Sequence, residues 1–400
     1  MPDTLSPTPG GRARARDLGI KIGRLAPGRW NAITDVSGLK VGHTTLIDGE
    51  GPLVVGTGPV RTGVTVILPH EGDIGADPLF AGYHVLNGNG EMTGLAWLEE
   101  SGTLSTAVAI TNTHSVGTVH DALIAYQVGR GNGSAAPSWS LPVVAETYDG
   151  FLNDINGFHV QPEHVFAALD NAASGPVAEG NVGGGTGMIA HGFKAGIGTS
   201  SRRVPHTWPR RSPDITPPVE RETTGDEPVW TVGVLVQANY GQRALLRING
   251  VPVGEAIPPS VVPAPGTAAP LPGAGSIIVI VATDAPLLPG QCRKLAQRAA
   301  LGIGRMGGLG ENSSGDIILA FATGNRGLGE RLPAGQTLAV RMLPHDALNG
   351  LFEAVVGATE EAIVNALCMA ETMTGYNGHT AHAIPLDLLQ EVMERYRQPA

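Results

Sequence analysis

The chain has 400 residues, 42% hydrophobic and 16% charged, with a formal net charge of −10. This is the composition of a globular protein with ample material for a core, in one large domain or two. The acidic balance argues against nucleic-acid and anionic-membrane partners, which need clustered Lys and Arg, and leaves small molecules or further copies of the chain.

The opening stretch MPDTLSPTPGGRARARDLGIKIGRL is basic but has no apolar h-region, so it reads as a tail leading into the fold and not as a secretory signal. No apolar run reaches the roughly 20 residues of a membrane helix. Cys292 and Cys368 stand at unrelated spacing, which gives neither a disulfide framework nor a thiolate metal site. A cytoplasmic enzyme or binding protein without a membrane partner is expected. The 57 glycines and 4% aromatics suit a layered α/β fold with tight turns.

In chain order, GVTVILP (63–69) and STAVAITN (105–112) have strand length and composition, and DALIAYQVGRG (121–131) is helical with a glycine stop. LPVVAET (141–147) is a further strand. Glu146, Tyr148, Asp149, Asn153 and Asp154 follow at its end, either as a solvated polar loop or as a cluster that holds a substrate ammonium. QPEHVFAALDNAASG (161–175) is helical. GNVGGGTGMIAHG (180–192) lacks the Lys-Ser/Thr of a phosphate loop and the context of a dinucleotide site, so it reads as backbone crowding near an active site. Residues 200–228, rich in charge and proline, read as a surface excursion. TVGVLVQAN (231–239) is a strand ending on Asn239, an amide able to stabilise an oxyanion or equally a turn residue. Residues 257–275 form a flexible Pro/Ala/Gly linker, and the strand SIIVIVATD (276–284) follows it. LPGQCRKLAQRAALGIGRM (288–306) is a helix begun by proline. ENSSGDI (311–317) opens the strand SGDIILAFAT (314–323), with Ser314 and Asp316 two apart and so on one side of an extended chain, as a turn or as a positioning pair. The long helix at 345–372 carries Glu360 and Glu361, expected on its wet side. The histidines never fall into HExxH or comparable spacing, so neither a metal nor a cofactor is expected.

The Gly275-Ser276 junction carries the sharpest alternative. Ser276 is either a turn residue or a nucleophile exposed as a new N-terminus when the preceding bond is cut. In the second case its α-amine, with a reference pKa of about 8, serves as the base for its own hydroxyl. Glycine at 275 would allow the strained conformer that such a cut requires.

Taken in order, VVAETYDGFLNDING, GNVGGGTGM, GVLVQANYG, GSIIVIVATDAPLLP and ALGIGRMGG…NSSGDIILAFATGN resemble the DmpA-like self-processing serine aminopeptidases. That family includes L-aminopeptidase/D-amidase-esterases and β-peptidyl aminopeptidases. The resemblance runs from DVSGLKVGH (35–43) to the C-terminal helix. It implies a four-layer αββα sandwich, layered like N-terminal-nucleophile hydrolases but connected differently, and a cut into an α chain (1–275) and a β chain (276–400). It also implies Ser276 as nucleophile, Ser314 and Asp316 as its positioning pair, Asn239 as the oxyanion amide, Tyr148 near the reacting carbonyl and Glu146 as the ammonium acceptor. Short peptides or amino-acid amides and esters are the implied substrates, with L-α, D-α or β N-terminal residues, and homotetramers of processed αβ units the implied assembly. Against this stand an acyltransferase of similar layering, which usually calls for threonine, and a non-catalytic glycine-rich assembly or ligand-binding protein that has kept the fold.

Overall fold

The dense aliphatic runs of the sequence are strands buried on both faces. The computed structural model describes residues 11–130, 139–207, 228–265 and 275–397. In chain order the strands are β1 (Lys40–Asp48), β2 (Val60–Leu68), β3 (Leu79–Gly88), β4 (Thr103–Leu104), β5 (Val108–Asn112) and β6 (Val143–Thr147). They continue with β7 (Ile189–Ala190), β8 (Phe193–Lys194), β9 (Ile197–Pro205), β10 (Val229–Asn239), β11 (Gly275–Thr283) and β12 (Ser314–Ala322). The helices are α1 (Leu95–Ser101), α2 (Val116–Arg130), α3 (Pro162–Asp170), α4 (Val253–Ala256), α5 (Pro289–Arg305), α6 (Asn349–Cys368) and α7 (Leu386–Arg397).

Of the two main sheets, the smaller has four strands in the order β1-β2-β5-β6 and the larger six in the order β4-β3-β12-β11-β10-β9; β7 with β8, and Met373–Thr374 with Thr380–Ala381, form two-stranded pairs. Most neighbours are antiparallel. The two parallel pairs, β5–β6 and β11–β12, are joined through α2 and α5, as a parallel pair needs a crossover connection. In β11, Ile277, Val279 and Val281 enter the core under α5 and α6, while Ile278, Ile280 and Ala282 face the other sheet. Burial on both faces explains why its sequence is continuously apolar and not alternating. Ile67, Ile110 and Ala145 of the small sheet meet Leu235, Ile280 and Leu319 between the sheets. Val119, Leu123 and Val165 of α2 and α3 cover the outside of the small sheet. The layering is therefore αββα, as the resemblance implies.

Helix α5 starts with Pro289 in its first turn, and the Leu288 N–H donates to Gln291 Oε1 at 3.1 Å. Its buried stripe of Cys292, Leu295, Ala296, Ala299 and Ile303 follows helical spacing. Helix α6 departs from expectation. Glu360 and Glu361 are buried, not wet, because the N-terminal segment, β9 and α5 bring arginines to that face. Arg202 and Arg16 pair with Glu361 at 2.7 and 2.9 Å, and Arg305 reaches Glu360 at 3.3 Å.

Two segment boundaries differ from the sequence reading. Residues 200–205 belong to β9, where Ser200 Oγ donates to the Ala358 carbonyl at 2.7 Å and Arg202 is buried; polar side chains line a buried strand because each finds a partner. The core of the expected excursion, 208–227, lies outside the described residues. Of the expected linker, Ile257 and Val262 are buried, and their carbonyls accept from Arg243 Nη1 at 3.1 Å each. Residues 266–274 lie outside the described residues, and Gly275 already belongs to β11.

Candidate active site

Three strands of the large sheet carry the site. Antiparallel pairing of β10 with β11 sets Asn239 opposite Ser276, and parallel pairing of β11 with β12 sets Gly275 opposite Ser314 and Ser276 opposite Gly315. Ser276 is buried, and its Oγ accepts from the Gly315 N–H at 3.2 Å. Ser314 Oγ donates to Asp316 Oδ1 at 2.7 Å, so the spacing of two does place both side chains together. The same oxygen accepts from the Ile277 N–H at 3.2 Å, the peptide group just after the nucleophile candidate. Asn87 Nδ2 approaches Asp316 Oδ2 at 3.4 Å. Burial pushes the Asp316 carboxyl up to about 6, against the lowering effect of the Ser314 and Ile277 hydrogen bonds, and the Glu311 charge adds to the rise.

Gly275 is glycine for a reason other than a strained torsion. It is extended within β11, and a Cβ there would lie 2.1 Å from the Asn239 carbonyl oxygen and 2.9 Å from Tyr240 Cα. Close backbone approach selects the residue.

Asn239 is held on both sides of its amide. Its Oδ1 accepts from the Ile189 N–H at 2.8 Å, and its Nδ2 donates to the Tyr148 carbonyl at 2.9 Å. That leaves the second Nδ2–H for a ligand. The Tyr148 side chain is 40% exposed, the one exposed member of the set. Burial first, then the charges of Tyr376 and Asp149, raise its pKa.

Glu146 is the penultimate residue of β6 and is 3% exposed. Oε1 accepts from the Glu91 N–H at 3.0 Å, and Oε2 accepts from the Thr113 hydroxyl. Burial raises its pKa against those two hydrogen bonds. Gly90 lies between this carboxylate and the nucleophile strands: a Cβ there would stand 3.0 Å from Gly315 Cα and 3.2 Å from Glu146 Oε1. The rest of the polar run does not join it. Asp149 accepts from Asn153 Nδ2 at 3.1 Å, and Asp154 Oδ2 accepts from the Gly56 N–H at 2.8 Å and pairs with His159 Nε2 at 2.9 Å. These three tie the loop to itself and to its neighbours.

The glycine-rich run 183–185 lies between the sheets. A Cβ on Gly184 would sit 2.3 Å from Gln237 Oε1 and 2.6 Å from the Ile110 carbonyl oxygen, which bears out backbone crowding. Sequence reading missed Asn87, Thr113 and the peptide donors of Ile189, Glu91 and Gly315. The amide-rich NGNGE at 87–91 was the available signal; a backbone N–H leaves none. Among the described residues, no cluster of three or more His, Cys, Asp or Glu is placed to hold a metal ion. No helix among them is long and apolar enough to cross a membrane.

Comparison with known proteins gives a consistent result. The chain is 49% identical over 395 residues to the beta-peptidyl aminopeptidase BapA of Sphingosinicella microcystinivorans, covering 97% of this chain and 93% of the relative. It is 47% identical over 390 residues to the BapA of Sphingosinicella xenopeptidilytica, covering 95% and 91%. Among solved structures it is similar to a Burkholderia sp. beta-aminopeptidase, with a TM-score of 0.83, 48% identity and 97% and 100% coverage. It also resembles the l-aminopeptidase d-ala-esterase/amidase of Ochrobactrum anthropi, described as a prototype for the serine aminopeptidases and a new variant of the Ntn hydrolase fold. That match has a TM-score of 0.83, 44% identity and 97% and 99% coverage. The profile of Peptidase family S58 matches residues 31–381, and the chain belongs to that family.

Proposed function

We propose that this aminopeptidase of family S58 activates itself by cutting Gly275-Ser276 and then uses Ser276 as an N-terminal nucleophile. The observation that carries the reading is the placement of Ser276 between the Asn239 amide and the Ser314–Asp316 pair on adjacent strands. In the first step Ser276 Oγ attacks the Gly275 carbonyl carbon. The C–N bond breaks as the C–O bond forms, the nitrogen takes up the proton, and water hydrolyses the resulting ester to a Gly275 carboxylate and a free Ser276 α-amine. In turnover that amine accepts the Oγ proton as Oγ attacks the acyl carbon of the substrate's first residue. It then passes the proton to the leaving amine, and water releases the amino acid from the acyl-enzyme.

Asn239 Nδ2–H is the oxyanion donor in this scheme. Glu146 receives the substrate ammonium; its buried carboxylate restricts attack to a free N-terminal residue, since an internal peptide bond brings no counter-charge. Tyr148 faces the reacting carbonyl from the exposed side. The similarity to two beta-peptidyl aminopeptidases favours β-amino acids as the N-terminal residue released from short peptides, amides or esters. Assembly as a homotetramer of αβ units and a cytoplasmic location belong to the same proposal, and light scattering of the purified protein checks the assembly.

Denaturing electrophoresis with N-terminal sequencing tests the centre of the proposal. The active protein should give two fragments, the smaller beginning Ser-Ile-Ile, and Ser276→Ala should remain one inactive chain of 41.2 kDa. A Ser276→Ala chain that still divides would assign the nucleophile elsewhere. A panel of β-homo, L-α and D-α aminoacyl p-nitroanilides settles the substrate, with the largest kcat/KM expected for the β series.

A further inference from the structure

A buried lysine stands behind the site with no part yet in the mechanism. Lys194, in β8, is fully buried, and its Nζ donates to the carbonyls of Met188 at 2.8 Å, Ala195 at 2.6 Å and Gly185 at 3.5 Å. Among the described residues no carboxylate pairs with it, and burial pulls its pKa well below the usual lysine value. An aliphatic side chain would fill the same space without the desolvation cost of an amine.

The Met188 carbonyl and the Ile189 N–H are two edges of one peptide group. The carbonyl takes the Lys194 hydrogen bond, and the N–H donates to Asn239 Oδ1 at 2.8 Å. In a trans peptide these edges point in opposite directions, so Lys194 and Asn239 flank one rigid plane. The β7–β8 hairpin holds that plane in place. The His191 N–H donates to the Tyr240 carbonyl at 2.7 Å, the Lys194 N–H to the His382 carbonyl at 2.8 Å, and Arg243 donates to the His191 and Gly192 carbonyls at the turn.

We propose that Lys194 is a positioning residue for the oxyanion donor: through the Met188–Ile189 peptide it fixes and polarises the Asn239 amide, so that Nδ2–H binds the tetrahedral oxyanion more strongly than the ground-state carbonyl. A donor on the carbonyl strengthens the N–H of the same peptide. That N–H, on Oδ1, in turn strengthens the amide N–H at the far end, as in any chain of hydrogen bonds. The gain rises with negative charge on the substrate oxygen, so it belongs to kcat and not to KM. The inference rests on the reading of Asn239 given above.

The test is a double-mutant cycle in the full-length chain with Lys194→Met, Asn239→Ala and the pair. The readouts are conversion of precursor to fragments in cell-free translation, and kcat and KM per mole of cleaved chain on an aminoacyl p-nitroanilide. Lys194→Met should lower kcat and the conversion rate by about tenfold, less than the roughly hundredfold or greater loss from removing the donor itself. KM should stay within about twofold, and in the Asn239→Ala background Lys194→Met should add less than about twofold. An equal factor in both backgrounds, a loss confined to KM, or an unchanged kcat overturns the proposal and leaves Asn239 as donor, provided Asn239→Ala alone is crippled. An Asn239→Ala enzyme of near-normal kcat overturns the reading of Asn239 and this proposal with it. Should Lys194→Met fail to fold by its melting curve, Lys194→Leu decides by the same criteria.

Discussion

At the scale of single residues, Asp316 is the group whose environment says most. Its carboxyl is pushed up to about 6 by burial, so between the ordinary carboxylate range and about pH 6 the folded chain holds a proton that the unfolded chain has released. Its contribution to stability is complete below that window and disappears as the pH rises through it. Asp149, also pushed up to about 6 by burial, has the same sign. The buried His43 and His191, pulled down to about 4 by burial, contribute the opposite slope over the same interval, so it is the stability of the wild type relative to Asp316→Asn that should fall in urea unfolding from about pH 4 to about pH 7. Self-cleavage should run the other way. In the uncut chain the ionised carboxylate accepts from Ser314 and Ile277 around the nucleophile, so conversion of the precursor to fragments should have an acid limb near pH 6. Asp316→Asn should remove that limb and lower the conversion rate by about a hundredfold; a limb unchanged in this variant would assign it to another group. The Ser314–Asp316 pair was legible in sequence because two residues apart on a strand means one side of it. Thr113 and Asn87 were not, since their roles come from strands far away in the chain.

At the scale of elements, the site is a matter of register. Ser276, Asn239 and Gly315 face one another because three strand ends stop at the same level of the sheet. Gly275 is where that register is tightest. Gly275→Ala would drive a methyl into the Asn239 carbonyl and Tyr240 Cα, spreading β10 from β11 at the reacting end. Overpacking of this kind costs about 1–3 kcal/mol, so the variant should melt several degrees lower and process itself more slowly in a pulse-chase. Normal processing with normal melting would show that the strands separate freely there. Strands such as β11 and β12 could be read from composition. The strand β9 could not, because Ser200, Ser201 and Arg202 look like surface residues until α6 supplies their partners.

At the scale of the molecule, the layers are locked on the α6 side by charge as well as apolar packing. Glu361 is fully buried between Arg202 and Arg16, also accepts from Asn31 Nδ2, and so joins β9, the N-terminal segment and α6. The arginines hold its carboxyl below the ordinary range despite burial, so this contribution is present at neutral pH and is lost as the pH falls. Glu361→Ala leaves buried guanidinium charge without its partner and should cost about 3–5 kcal/mol in urea unfolding at neutral pH. kcat per cleaved chain should change far less. A stability within 1 kcal/mol of wild type, on the order of an exposed pair, would show that water reaches the arginines.

The sequence alone determined the strand and helix character of the apolar runs, because periodicity follows from backbone geometry. Through its ordered motifs it also determined the family and the αββα layering. Only the tertiary structure decided which polar residues are buried, because burial depends on what packs from elsewhere: it moved Glu360 and Glu361 into the interior, bound Asp149 and Asp154 into their own loop, and placed Lys194 one peptide behind Asn239. It also gave Gly275 its reason, which is not a strained torsion but a neighbouring carbonyl 2.1 Å from where a Cβ would be.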